Sequence, residues 1–151
     1  MSNDAKKVLV TISSSARTGT EEDPPIRLRC QGQLKETPSG YMLRYQEIQQ
    51  DSDSGQTVSQ DVILGMQPER VTMTRLGAYG TTMVFVKDRR FEGAYHTPYG
   101  DLELALFATQ VNCQLGPESG SVHLEYQLDM QGNSAAVQVI DVTYTTEGAA
   151  C

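Results

Sequence analysis

The sequence lacks tryptophan and contains only two histidines, His96 and His123. Two histidines are too few for a three-histidine metal site within one chain. The three cysteines, Cys30, Cys113 and Cys151, are an odd number and show no C-x-x-C spacing. The sequence therefore predicts no disulfide framework, no metal site and no bound cofactor.

Basic residues are also scarce, because 12 Lys and Arg stand against 19 Asp and Glu, which gives a formal net charge of -7. The sequence pI is about 4.7. A chain with this charge is repelled at long range by phosphate backbones and anionic lipid surfaces. We therefore expect neither nucleic acid nor a membrane surface as a partner.

Long apolar runs are missing as well. The N-terminal segment 1–17 contains only a five-residue apolar-centred run, too short for the core of a signal peptide or for a bilayer span. We therefore expect a cytoplasmic protein. A length of 151 residues suits one domain over 1–151, with flexible ends at 1–5 and 146–151.

What the sequence has throughout is alternation of apolar and polar residues. Between Ser121 and Met130, the apolar Val122, Leu124 and Tyr126 alternate with polar residues. A period of two is typical of a strand with one face in a core and the other in water. No window shows the spacing of an amphipathic helix, so the fold class is all-β.

Turn signals divide this pattern into short segments, which is typical of an antiparallel meander. We predict a single antiparallel β-barrel of about ten strands. The expected strands are 6–14, 26–36, 40–49, 56–65, 70–76, 81–87, 90–96, 101–115, 120–131 and 135–145. Apolar residues change phase at Leu106 and Phe107, and again at Val139 and Ile140, so we expect a β-bulge at each place.

The first candidates for a ligand-binding site are polar residues at strand positions whose neighbours on the same face are apolar. Arg75 follows Val71 and Met73 at strand spacing, and we place Arg44 in phase with Met42. A guanidinium inside a barrel must be paired or must meet an anionic ligand, because an unpaired buried charge is costly. The alternative is an arginine near a strand end that extends its charged group into solvent.

Aromatic residues near turns supply the remaining candidates. The predicted ligand-binding residues are Arg75, Tyr79, Tyr95, His96 and Tyr99. His96 is close in sequence to Asp101, but no nucleophile or metal set accompanies this pair, so we assign no catalytic residue and do not expect an enzyme. The carboxylates of Asp101 and Glu103 fall on the polar phase of their strand and are expected in solvent.

The run "RFEGAYHTPYGDLEL", from Arg90 to Leu104, resembles the YwiB-like family in Phe91, Gly93 and the motif 97–100. The likeness extends from about Lys7 to Thr145. It implies a small bacterial protein with a calycin-like, lipocalin-type β-barrel, and it brings no established function. The G-x-W signature of lipocalins is missing because the chain has no tryptophan.

Two functions are compatible with this barrel. The leading hypothesis is a binding module that holds a small, partly apolar or anionic molecule in the barrel interior or at its mouth. The alternative is a protein-protein interaction or structural module that acts as a homodimer through an outer sheet face or the barrel rim, where Leu9, Leu76 and Val84 would be exposed.

Overall fold

The computed structural model describes residues 5–18, 21–22, 26–50, 57–77, 80–131 and 133–146. These residues form strands and turns, and no helix occurs among them. The strands are β1 (Lys6–Thr18), β2 (Glu21–Glu22), β3 (Ile26–Thr37), β4 (Gly40–Gln50), β5 (Thr57–Gln67), β6 (Arg70–Leu76), β7 (Thr81–Val86), β8 (Arg90–Thr97), β9 (Gly100–Gln114), β10 (Ser119–Met130) and β11 (Asn133–Thr146).

The strands form one antiparallel meander that closes on itself. Each strand from β3 to β11 pairs with the next, and β1 pairs with both β3 and β11. The closing ladder runs from Val8↔Thr146 to Arg17↔Val137. The two-residue β2 only extends the sheet beside the end of β1. Ten strands therefore make a closed barrel, which confirms the predicted fold class.

Alternation along the strands builds the core. In β6, Val71 and Met73 are buried and face the barrel interior, and β7 contributes Phe85 in the same way. Burial of one such side chain contributes about 1.5–3 kcal/mol. The fully buried side chains include Phe85, Leu43, Leu64, Met66, Met73, Leu106, Leu124, Val8, Val10, Val62, Val71 and Val122. Closure of the barrel leaves the polar phase of each strand on the outside.

We predicted a bulge in β9 at Leu106 and Phe107, and this position is wrong. Leu106 and Ala108 are both buried, whereas Phe107 is 38% exposed. The register with β10 shifts between Ala108 and Gln110, and the Thr109 hydroxyl donates to the Glu125 carbonyl at 3.2 Å. The phase change therefore lies at Thr109, because the small Ala108 takes the interior position that we had assigned to Phe107.

The phase change expected in β11 at Val139 and Ile140 is also wrong. Ile140, Val142 and Tyr144 are buried on one continuous phase. The register with β10 shifts instead between Gln127↔Val137 and Asp129↔Ser134. Val139 is half-buried on the other face of β11. Because it is apolar, the sequence pattern wrongly indicated that the strand changes face there.

Strands β4, β6 and β8 end, and strands β5, β7 and β9 begin, at one end of the barrel, which we call the loop end. The start of β1 and the end of β11 meet at the opposite end, where Val8 pairs with Thr146 and the Thr146 amide donates to the Glu118 carbonyl at 2.8 Å. Of the two segments expected to be flexible, 1–4 and 147–151 lie outside the described residues.

Candidate functional site

An ion pair lies inside the barrel near its loop end. Arg75 ends the inward phase of β6, and Glu47 faces inward from β4. The guanidinium donates to both carboxylate oxygens of Glu47, from Nη2 to Oε1 at 3.2 Å and from Nε to Oε2 at 3.4 Å. The Glu47 side chain is 9% exposed and that of Arg75 is 25% exposed. Arg75 is therefore paired within the chain.

The two charges of this pair balance each other, but the hydrogen bonds between them are long. Burial disfavours the charged form of Arg75, yet the adjacent Glu47 carboxylate more than offsets this and raises the pKa of Arg75 above its usual value. Both hydrogen bonds are longer than the ~2.7–2.9 Å typical of charge-assisted bonds. The interior thus holds two opposite charges that are joined by long hydrogen bonds.

Two phenols accompany the ion pair. Burial and then Glu47 raise the pKa of Tyr45 far above its usual value, and burial raises the pKa of Tyr126 to about 12. The Tyr126 ring meets Phe85 edge to face, with 4.8 Å between the ring centroids. Both phenols therefore stay neutral at ordinary pH. We call Tyr45, Glu47, Arg75 and Tyr126 the Arg75 cluster.

The barrel wall is split beside this cluster. The pairing of β3 with β4 runs from Thr37↔Gly40 to Gly32↔Tyr45. Beyond Gly32, residues 26–31 of β3 pair with β1, and within the described strands they do not pair with β4. The two strands therefore diverge toward the loop end.

Gly32 permits the close packing from which the split begins. A Cβ atom at this position would lie 2.8 Å from the Arg44 carbonyl oxygen and 2.9 Å from Cγ2 of Val10. Real Cβ atoms do not approach other heavy atoms so closely, and the oxygen belongs to backbone. Glycine within a strand often marks such a close approach.

A cavity of about 150 Å³ opens at the split. Its apolar lining comes from Ile12, Leu28 and Cys30, and its polar interior lining comes from Tyr45 and Glu47, with Arg29 and Gln46 at the edge. A concavity of about 480 Å³ on the outer surface shares Tyr45 and Gln46 with it. The cavity reaches the surface between β3 and β4, where its lining residues Leu28, Arg29 and Gln46 are exposed.

The size of the cavity limits what it can hold. At about 30 Å³ per water, it has room for roughly five waters, or for one molecule about the size of benzene. Its lining joins apolar side chains to a carboxylate and a phenol, as small-molecule sites commonly do.

The predicted site residues fall into separate places. Arg75 pairs with Thr81 across β6 and β7, and Thr81 pairs with Tyr95 across β7 and β8. The structure therefore brings Arg75 and Tyr95 to one level of the barrel, two strands apart, with Tyr95 half-buried. The Thr81 hydroxyl between them donates to the Ala94 carbonyl at 3.2 Å.

Two other predicted residues, His96 and Tyr99, lie away from the Arg75 cluster. His96 is exposed and makes a contact of 2.8 Å between its Nδ1 and Oδ1 of Asp101. Tyr99 is 94% exposed in the β8–β9 turn. Tyr79 lies outside the described residues.

The interpretation of Arg44 as an inward residue is wrong. Leu43 and Tyr45 are buried, whereas Arg44 is 55% exposed and donates to Asp61 on the outer surface at 2.9 Å. Apolar residues occur on both phases of β4, so the pattern alone did not decide its orientation. The same error hid Glu47, which shares the inward phase with Leu43 and Tyr45.

A second titratable group occupies the outer face of β10. His123 contacts Asp141 through Nδ1 and Glu125 through Nε2, the latter at 3.1 Å. The hydrogen bond with Asp141 is the main reason that the pKa of His123 is raised. In the described part of the chain, no group of three or more His, Cys, Asp or Glu side chains is arranged to hold a metal ion.

The described residues also contain no helix that is long and apolar enough to cross a membrane. The fold and the site together define the chain as a closed antiparallel β-barrel with a polar cluster facing its interior. Residues 10–142 match the family described as "Domain of unknown function (DUF1934)". The chain belongs to this family.

A solved structure supports the same fold. The chain is similar to the ywiB protein from Bacillus subtilis, with a TM-score of 0.79 and 20% sequence identity over 96% of this chain and 95% of that chain. The predicted YwiB-like resemblance is therefore confirmed. Comparison with curated proteins gave no match.

Proposed function

We propose that this protein is a binding module for a small, partly apolar molecule. The ligand occupies the cavity at the β3–β4 split, beside the Arg75 cluster. The observation that carries the proposal is the ion pair between Glu47 and Arg75 inside the barrel, next to a cavity that opens to the surface.

The energetics of the ion pair support a role beyond stability. Desolvation of two charges costs several kcal/mol, and well-packed apolar residues often replace a buried pair without loss of stability. We therefore expect the barrel to stay folded when apolar residues replace both Glu47 and Arg75. Their presence near a cavity is typical of a site in which a few polar groups orient a ligand.

The lining favours a ligand with an apolar body and one polar group. Ile12, Leu28 and Cys30 offer apolar contact, and Tyr45 and Glu47 offer hydrogen bonds. Support for an anionic ligand is weaker, because Glu47 already neutralises Arg75. A cytoplasmic location belongs to the proposal, and the free thiols of Cys30 and Cys113 agree with a reducing compartment.

A pair of matched variants tests the proposal. Leu28 lines the cavity and is 37% exposed, whereas Leu76 is 44% exposed and does not line it. Leu28→Trp fills the cavity, and Leu76→Trp adds the same bulk elsewhere. Native mass spectrometry of protein purified gently from its own host should show a bound small molecule with the wild type and Leu76→Trp, and none with Leu28→Trp.

Two results would contradict the proposal. The first is wild-type protein that carries no small molecule and binds none when apolar compounds about the size of benzene are added. The second is a bound molecule that Leu28→Trp retains, since the ligand then lies outside the cavity.

Self-association through an outer face or the rim remains a prediction. The exposed large apolar side chains are Leu28, Leu76, Tyr99 and Phe107. Leu28, Leu76 and Tyr99 lie toward the loop end, but on β3, on β6 and in the β8–β9 turn, which are not neighbours, and Phe107 lies within β9. Single exposed apolar residues are normal on soluble proteins. Sedimentation of the pure protein at high concentration measures whether a dimer forms.

A further inference from the structure

We infer that the polar group of the ligand is a cation, such as an ammonium, held by the Glu47 carboxylate and the Tyr45 phenol. The inference rests on the proposed function and specifies the chemistry of the same cavity. Glu47 would therefore recognise the charged group of the ligand, whereas the sequence indicated Arg75 for this role.

The order of the strands separates the cavity from Arg75. The cavity lies between β3 and β4, and Glu47 projects from β4. Arg75 reaches Glu47 from β6, on the other side of β5. Arg75 is not among the residues that line the cavity. A ligand in the cavity therefore meets the carboxylate first, with the guanidinium behind it.

Glu47 has acceptor capacity left for a ligand. An ionised carboxylate offers about four lone-pair sites on its two oxygens. Arg75 occupies two of them, with bonds of 3.2 and 3.4 Å. Since these bonds are long for charged partners, a cation in the cavity can share the carboxylate without displacing Arg75. The Tyr45 phenol oxygen adds a neutral acceptor beside it.

The groups around the cavity disfavour a negative charge. Burial and then the charge of Glu47 raise the pKa of both the Cys30 thiol and the Tyr45 phenol. An anionic ligand head would meet the same burial and the same carboxylate. The net charge of -7 also favours association with cations.

One opposing charge lies at the edge of the cavity. Arg29 alternates with Leu28 and Cys30, so its side chain belongs to the outer face of β3, where it is exposed. Water and salt screen exposed charges strongly. Glu47 is buried and is screened much less, so it dominates the interior of the cavity.

The probes follow from the size of the site. Benzylammonium combines a benzene-sized body with a cationic head, benzoate carries an anionic head, and benzyl alcohol is neutral. Isothermal titration of each into the full chain at about pH 7, where the amine is protonated, should show that benzylammonium binds at least tenfold more tightly than benzoate. Benzyl alcohol should fall between them.

A charge-neutral variant tests the role of Glu47. Glu47→Gln combined with Arg75→Gln removes both charges together and keeps groups that can hydrogen-bond. The preference for benzylammonium over benzoate should fall to less than about threefold, while benzyl alcohol still binds. If circular dichroism shows that this variant does not fold, Tyr45→Phe replaces it, and benzylammonium should then bind about threefold to tenfold more weakly.

The outcomes separate this inference from the proposed function. Benzoate that binds as tightly as benzylammonium overturns the cationic head and leaves the binding module standing. A cation preference unchanged in the folded test variant also overturns the inference. If none of the three probes binds at about 10 mM, both the inference and the proposed function fail.

Discussion

Removal of Arg75 alone should destabilise the barrel more than removal of the whole ion pair. Arg75→Met leaves the Glu47 carboxylate, which is 9% exposed, without its cation. Breaking a fully buried pair in this way costs about 3–5 kcal/mol. Because Arg75 is 25% exposed and its bonds are long, we expect about 2–3 kcal/mol.

The matched comparison is Arg75→Met combined with Glu47→Leu. This double variant replaces the pair with apolar side chains and should unfold within about 1 kcal/mol of the wild type. Glu47→Leu alone should cost about 1–2 kcal/mol, because Arg75 can extend toward solvent. The double variant should therefore be more stable than Arg75→Met, with a coupling energy of at least about 2 kcal/mol.

Urea unfolding measures these differences. The chain has seven tyrosines and no tryptophan, so tyrosine fluorescence and far-ultraviolet circular dichroism report the transition, and coincidence of the two supports a two-state analysis. A loss of less than about 0.5 kcal/mol in Arg75→Met would show that Arg75 does not compensate the charge of the buried Glu47 carboxylate. A double variant as unstable as Arg75→Met would do the same.

Three further predictions use the same unfolding assay or a simple titration. Gly32→Ala should cost about 1–3 kcal/mol, since the added methyl group would clash with the Arg44 carbonyl, whereas Gly65→Ala, whose nearest atom is 3.9 Å away, should change stability by less than about 0.5 kcal/mol. The pKa of His123 is raised in the folded state, so its stabilising effect is present in full below about pH 6.5 and is lost as pH rises through the folded pKa. The wild type should therefore exceed His123→Gln in stability by more at about pH 6 than at about pH 9. In an absorbance titration of phenolate formation, Tyr126→Phe should leave the step near about pH 10 unchanged, because the pKa of Tyr126 is about 12.

Each of these predictions has a contrary result. Equal stabilities of the two glycine variants would contradict the close packing at Gly32. A stability difference for His123→Gln that does not change with pH would contradict the effect of Asp141 on the histidine. Loss of one tyrosine from the step near about pH 10 in Tyr126→Phe would show that this phenol is not in a buried environment.

The barrel could be predicted from the sequence because alternation persists along nearly every strand. Val122, Leu124 and Tyr126 face inward as their spacing predicted. The points where strands change phase were harder to find. Phe107 is a large apolar residue on the outside, and Ala108 is a small one on the inside, so hydrophobicity alone placed the bulge too early.

The site could be predicted only in part for a related reason. Arg75 stood out because it follows two apolar residues at strand spacing. Glu47 did not stand out, because β4 has apolar residues at alternate positions on both of its faces. Leu43 and Tyr45 share a face with Glu47, and Met42 and Ile48 belong to the other face. The orientation of β4 depends on its neighbours across the sheet, and its own sequence does not determine it.

The sequence contains only one local sign of the split between β3 and β4. Residues 26–31 pair with β1, and their alternation is the same whether or not β4 lies on their other side. Gly32 was the available sign, since glycine within a strand often marks a bend or a close approach of backbone. Which strand diverges there is decided by tertiary packing.

A small molecule bound in the cavity at this split changes the NMR signals of the backbone around it. The test is to titrate benzylamine, benzyl alcohol and benzoate in turn into isotopically labelled protein at about pH 7 and to follow the backbone amide signals by NMR. With at least one of these probes, we expect the largest shifts in 28–31 of β3 and 45–47 of β4, with little change around His123 on the outer face of β10. Shifts centred on that outer face, or no shifts in either segment with any of the three probes, would contradict binding in the cavity.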